Sequence, residues 1–513
     1  MYHRHRPRRD TRCARAGAES WITLDAEIAV TSLSFCAWRT AMTEAAAAGG
    51  IRTEESSPAT QLPMAAMLVA AFLWPAELPI AIFWHGVAFP TVGSCYVLLL
   101  HATFVLIAAC PILLRAGARI PDGPGNARCF IASCCLLLFI GLMPLVVSAV
   151  STVDSNWAFQ DFAFGFAAPV VFAVALATLP AHQQQRVWVA FYAGWVAFLS
   201  ISVFVLAREW RAAADAIPAF AAAPPAQKLI MWRFTLGQPW NLYGIVMGNA
   251  NKMSNYLVIF LLTSVEFLNI DGNSPKRRAL LGIFWLLAVL TLVVMLSRAA
   301  MLLLPLVVLA SGLLRQTTAR VRRVAVLVAV SAIVAIVIAA PEVMDYLLAA
   351  RYLPDGDSDA DPLGTFGDRL VQWAQLKDYL AQHPRVAAFG LGTSGYGLRF
   401  FGQPESGTHN TFLDLWTNGG VLSPILLLCL IGLALLQALG GTKSRTRRIA
   451  STAGLLALSL LMMREHSFSY LYVTSLGGLC VAALLYATIA PEDVQFARSR
   501  ATKNGACKVA PAQ

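Results

Sequence analysis

The sequence predicts an all-α polytopic membrane protein: about twelve transmembrane helices with an extracytoplasmic cap formed by two long loops. Three observations carry this expectation. Hydrophobic residues make up 58% of the chain and charged residues only 13%, with mean hydropathy +0.62, whereas soluble domains are about 25% charged. Apolar runs of roughly 17 to 25 residues recur from Pro63 onward, the length a helix needs to cross about 30 Å of hydrocarbon. Lys and Arg gather in alternate short loops, as a chain oriented by positive charge requires.

Residues 1–62 open with MYHRHRPRRDTRCARAG and hold no apolar run long enough for a secretory signal. They read as a cytoplasmic, disordered tail, and Met42 offers a second start. The basic cluster suits anionic lipid heads, although seven acidic residues dilute it. Residues 63–490 form the transmembrane domain, with spans near 64–84, 93–114, 130–150, 162–179, 187–207, 251–269, 279–297, 298–314, 323–340, 411–439, 449–463 and 470–490. Residues 491–513 form a second cytoplasmic tail. The long outer loops are 208–250 and 341–410.

Orientation follows from charge. Fifteen Lys and Arg lie in the loops after spans two, four, six, eight and ten, from Arg115 to Arg448. The short loops after spans one and three have none, so both termini are cytoplasmic and His409 is outside. The net charge of +11 is thus a topological signal, with membrane lipids as partners and no nucleic acid. Five cysteines, Cys110, Cys134, Cys135, Cys429 and Cys480, fall in apolar runs and the long loops hold none, which excludes a disulfide framework there.

Within the second loop, Phe366, Leu370, Trp373 and Leu380 recur at helical spacing, with Asp368, Arg369, Gln372, Gln375 and Asp378 on other faces. This predicts an amphipathic surface helix stopped by Pro384. Asp355, Asp357, Asp359 and Asp361 alternate like a calcium loop, but Ala360 and Phe366 stand where Gly and Glu are needed. Gly390-Leu391-Gly392 lacks the βα unit of a nucleotide site. Neither a metal nor a cofactor is expected. His85, His383 and His466 carry no matching pattern.

The chemistry concentrates in GLGTSGYGLRFFGQPESGTHNTFLDLWTNGGVLS, residues 390–423. His409-Asn410 is followed by nine residues and Gly420, which places a polar dyad about three helical turns above a glycine on one rising helix. Two readings fit His409: an interfacial anchor, or a neutral imidazole that takes a proton from a hydroxyl. Arg298 follows Ser297 with almost no loop between spans; it either snorkels or clamps a phosphate with its guanidinium fork. Arg233, before span six, can approach the same place, and Arg369 either joins them or braces the surface helix.

The run His409-Asn410-x9-Gly420 resembles the signature of bacterial O-antigen ligases, with Ser423 where that family has Gly, Thr or Tyr. Arg369-Leu370-Val371-Gln372-Trp373 leading to Pro384 and Gly390-Leu391-Gly392, together with Ser297-Arg298, is similar to the wider O-antigen ligase and polymerase family. These features cover roughly residues 230–440 in the expected order. The resemblance implies a membrane glycosyltransferase that moves a glycan from undecaprenyl pyrophosphate to a lipid A-core hydroxyl on the periplasmic face of a bacterial inner membrane, inverting and metal-independent. His409 and Arg298 would be catalytic, with Arg233, Asn410 and Arg369 binding substrate. The polymerase of the same family is the nearest alternative, and Arg233-x10-Gly244 meets a spacing seen there. A lipid or sugar transporter is the alternative of a different class; its ionisable groups would lie at mid-bilayer, whereas here they cluster at outer span ends.

Overall fold

The structure, a computed structural model, describes residues 58–76, 126–150, 155–216, 218–224, 228, 231–232, 250–268, 274–295, 300, 365–401, 407–440, 453–455, 457–459, 461–462 and 479–483. Residues 1–57 and 491–513, the spans near 93–114 and 323–340, the span near 298–314 apart from Ala300, and Asp355 to Asp361 lie outside the described residues. So do His85, Arg233, Ser297, Arg298 and His466. Packing divides the chain into two units, Met1–Gln61 and Leu62–Gln513.

Every regular element among the described residues is helical: α1 (Pro58–Leu73), α2 (Asn126–Val150), α3 (Ser155–Phe162), α4 (Ala168–Thr178), α5 (Ala181–Ala216), α6 (Pro218–Ala222), α7 (Ala250–Phe267), α8 (Pro275–Met295), α9 (Thr365–Gln382), α10 (Pro384–Phe389), α11 (Gly395–Phe401), α12 (Thr411–Gly419) and α13 (Leu422–Gly440), with a 3₁₀ turn at Trp74–Ala76 and a π turn at Ala163–Ala167. Among the described residues four stretches are long and apolar enough to cross a membrane: Cys129–Val150, Ala158–Thr178, His182–Asp215 and Pro275–Met295. Phe139, Phe204 and Leu286 are more than half exposed on these helices, a surface that lipid covers. The chain is therefore a multi-pass membrane protein.

Aromatic rings knit the spans. Trp188, Phe191, Tyr192 and Trp195 of α5 are buried against Phe260 and Phe267 of α7 and Phe284 of α8, with Trp188 stacked on Phe267 at 4.1 Å. Polar ties add register: Trp285 Nε1 donates to Ser264 Oγ at 3.0 Å, and Tyr192 Oη to the Phe260 carbonyl at 3.2 Å. Between α3 and α4 the π turn buries Phe164, Gly165 and Phe166. Gly141 of α2 faces the Phe166 ring so closely that a Cβ there would sit 2.6 Å from it.

Two expectations are corrected. Helix α5 has 36 residues, about 54 Å at 1.5 Å per residue, and runs past the expected span end at Ala207. Its added turns, REWRAAADA, are rich in strong helix formers, so the long loop 208–250 begins as helix. The tenth span is not one rising helix over 411–439: α12 stops at Gly419, Gly420 takes φ +78° and ψ 176°, and α13 starts afresh at Leu422. Hydropathy is blind to that break because apolar residues flank it on both sides.

Candidate active site

The His409-Asn410-x9-Gly420 run spells one short helix and its two ends. Asn410 is the N-cap of α12, extended at φ −149° and ψ 113°, and its Oδ1 accepts from the backbone N–H of Phe412 at 3.0 Å and Leu413 at 3.3 Å. Capping of this kind satisfies donors that the first turn leaves open. The nine residues between motif positions are α12 itself, and Gly420 is its C-cap, donating its N–H to the Trp416 carbonyl.

His409 stands just ahead of the cap at φ +54°, a left-handed conformation that costs about 1–3 kcal/mol for a residue with a Cβ. Neighbours on both sides hold it there. Thr408 donates its N–H to Asp414 Oδ1 at 2.8 Å. The Thr408 hydroxyl lies 2.8 Å from the same oxygen and 3.0 Å from the Asn410 carbonyl, and accepts the Asn410 N–H at 3.2 Å. Asp414 thus reaches back across the start of α12 to close the turn that carries the imidazole, an orienting role exerted through backbone. Helix α9 adds a third grip, since Trp373 Nε1 donates to the Thr408 carbonyl at 2.7 Å.

The far end of α12 is set by the Gly390-Leu391-Gly392 strip. Leu391 donates its N–H to the Thr417 carbonyl and Gly392 to the Asn418 carbonyl, at 2.6 and 2.9 Å. In return Val421 donates to Ala387 at 3.1 Å, and Trp416 Nε1 to the same carbonyl at 2.8 Å. Gly390 and Gly392 both have positive φ, 86° and 88°. Ser148 of α2 then fastens the strip to the membrane domain: its Oγ accepts the Thr393 N–H at 2.8 Å and donates to the Pro144 carbonyl, also at 2.8 Å. All five positive-φ positions among the described residues, Gly390, Gly392, Ser394, His409 and Gly420, fall within these 31 residues. Ser394 and His409 are the two of these that carry a Cβ, and strained non-glycine backbone clusters at functional sites.

The amphipathic helix expected through Phe366, Leu370, Trp373 and Leu380 is α9, and Pro384 begins a new helix after it. Its buried face differs in part from the stripe read in sequence. Leu376 and Leu380 are buried with Tyr396, against Val386, Leu413 and Trp416. Gln372, assigned to another face, has its side-chain oxygen Oε1 buried. The backbone of Arg369 is helical, one turn ahead of Gln372 and Trp373. His383 is exposed, stacks on Tyr379 at 4.1 Å and places Nδ1 2.9 Å from the Tyr379 carbonyl, a local role. Sequence reasoning missed Thr408 and Ser148. The first was legible in the Thr408-to-Asp414 spacing, whereas no signal connects Ser148 to Thr393, 245 residues away.

Burial pushes the Tyr396 phenol above its ordinary value, and the nearby charge of Asp414 pushes it the same way. Tyr396 therefore stays neutral beside the carboxylate that braces His409.

No curated protein matches the chain. Residues 283–428, a stretch running from α8 through the His409 turn and α12 into α13, match the family model Wzy_C, O-antigen ligase, which bears out the resemblance to the O-antigen ligase and polymerase family.

Proposed function

We propose that the chain is an O-antigen ligase-like glycosyltransferase of a bacterial inner membrane. It moves a glycan from undecaprenyl pyrophosphate to a hydroxyl of lipid A-core on the periplasmic face. The observation that carries this reading is the His409 turn: an imidazole held in a left-handed backbone by Thr408, Asn410 and Asp414, inside the O-antigen ligase match. Rigid placement is what a general base needs, since proton transfer depends on geometry before basicity.

In this reading His409 accepts the proton of the acceptor hydroxyl as its oxygen attacks the anomeric carbon. The bond from that carbon to the pyrophosphate oxygen breaks, and Arg298 and Arg233 neutralise the departing charge. A single displacement inverts the configuration and needs neither a metal nor a cofactor. Asn410 spends its carbonyl oxygen on the cap, and its amide nitrogen, which takes no part in the cap, donates to the sugar. Arg369, on the same helix as Trp373, binds donor phosphate.

The test supplies purified protein with a single-repeat glycan on undecaprenyl pyrophosphate, together with lipid A-core. A ligase yields lipid A-core bearing the glycan. Longer carrier-linked chains with the acceptor untouched would identify the polymerase instead, and activity lost to chelation and restored by a divalent cation would refute the metal-independent mechanism.

A further inference from the structure

Helix α9 carries one side chain that the fold leaves unanswered. Gln372 Oε1 is buried and has no hydrogen-bond partner among the described residues. Burying a carbonyl oxygen without a donor forfeits its hydration and gains nothing in return, so a chain selected for stability alone would have an apolar residue here.

The position of this orphan is informative. The next residue, Trp373, donates to the Thr408 carbonyl beside His409. Leu376 and Leu380, one and two turns further along, are buried in a cluster with Tyr396, against which Leu413 and Trp416 of α12 pack. Gln372, Trp373, Leu376 and Leu380 thus form one stripe of α9. The glutamine occupies the end of the stripe nearest the turn that carries His409.

We propose that Gln372 is an acceptor-binding residue: Oε1 receives a hydrogen bond from the sugar hydroxyl adjacent to the one that His409 deprotonates. The assignment rests on the ligase reading above and adds a specificity element to it. In this assignment the carboxamide oxygen takes one hydroxyl of the sugar ring and the His409 imidazole its neighbour. A site built to hydrogen-bond a hydroxyl discriminates against the analogue that lacks it, because the buried oxygen is then left unpaired.

The experiment uses the full-length protein with two acceptors, lipid A-core and the same lipid lacking the hydroxyl adjacent to the attachment point. For Gln372→Met the acceptor KM should rise about tenfold or more, as loss of a single buried hydrogen bond implies, with kcat changed much less. Without substrate, its thermal midpoint should equal or exceed that of the wild type, because the orphan oxygen is gone. Wild type should show the same rise in KM with the deoxy acceptor, and Gln372→Met should treat both acceptors alike. Gln372→Met with unchanged KM, continued discrimination by Gln372→Met, or a lowered thermal midpoint would each overturn the assignment while leaving the ligase reading standing. Absence of transfer by the wild type would overturn both.

Discussion

Gly390 and Gly420 stand backbone to backbone: a Cβ added to Gly390 would lie 2.7 Å from the amide nitrogen of Gly420. The two glycines belong to the G-x-G and His-Asn-x9-Gly patterns, which look unrelated in sequence. In the fold they are halves of one contact, and both have the positive φ and near-180° ψ open essentially to glycine alone. Gly390→Ala and Gly420→Ala should each lower the thermal midpoint and depress transfer, since the backbone conformation alone costs about 1–3 kcal/mol. Gly432→Ala is the control. It lies within α13 with open space around it and should be neutral or slightly stabilising, as Ala is about 1 kcal/mol the better helix former.

His409→Ala and His409→Gly both remove the imidazole and should both cut transfer by about 10²–10⁴-fold. They should differ in stability. At φ +54° a glycine is unstrained, so the Gly variant should be the more stable of the two by about 1 kcal/mol. Thermal unfolding of the pair checks this, and an Ala variant as stable as the Gly variant would show that the turn stores no strain.

Asp414→Ala removes the oxygen that accepts from both Thr408 groups, while leaving His409 in the chain. Hydrogen bonds to a charged group are worth about 1.5–3 kcal/mol, and the loosened turn should reduce kcat at least tenfold. Asp414→Asn keeps an acceptor oxygen and should recover most of that loss. Equal rates in the two variants would mean that charge, and not the hydrogen bonds, is what matters.

Tyr396 makes a contribution to stability at alkaline pH whose sign follows from its raised pKa. Below its ordinary value of 10 the phenol is neutral in both folded and unfolded chains and favours neither. As pH rises through 10 the unfolded chain releases the proton first, while burial and Asp414 hold it on the folded one, so stability falls with pH in that window. Tyr396→Phe should lose less stability between pH 9 and 11 than the wild type, measured by thermal unfolding at each pH.

Topology is open to a direct check. With native cysteines replaced, a cysteine at Asp357 should react with an impermeant thiol reagent applied from outside, and one at Ser444 should not. The expectation rests on the fifteen Lys and Arg in same-side loops. Labelling in the reverse pattern would move His409 to the cytoplasm and remove the proposed donor from its reach.

Much of this protein was determined by sequence alone, because the physics involved is local and one-dimensional. Apolar length marked the membrane helices that the described residues show, such as Cys129–Val150 and Pro275–Met295. Apolar spacing and Pro384 marked α9, and residue order carried the family resemblance. Tertiary structure decided what depends on chain segments meeting. Asn418-Gly419-Gly420 is a turn signal within residues 411–439 that apolar length masks in a hydropathy reading; the fold fixes the break there by pressing Gly420 against the Ala388 carbonyl and Gly390 against Asn418. The left-handed backbone of His409 comes from Asp414, Asn410 and Trp373 closing around Thr408. That closure is anchored to the membrane helix α2 through Ser148, whose hydroxyl accepts the Thr393 amide 245 positions along the chain. Periodicity records which way a side chain faces, and cannot record which distant backbone is waiting there.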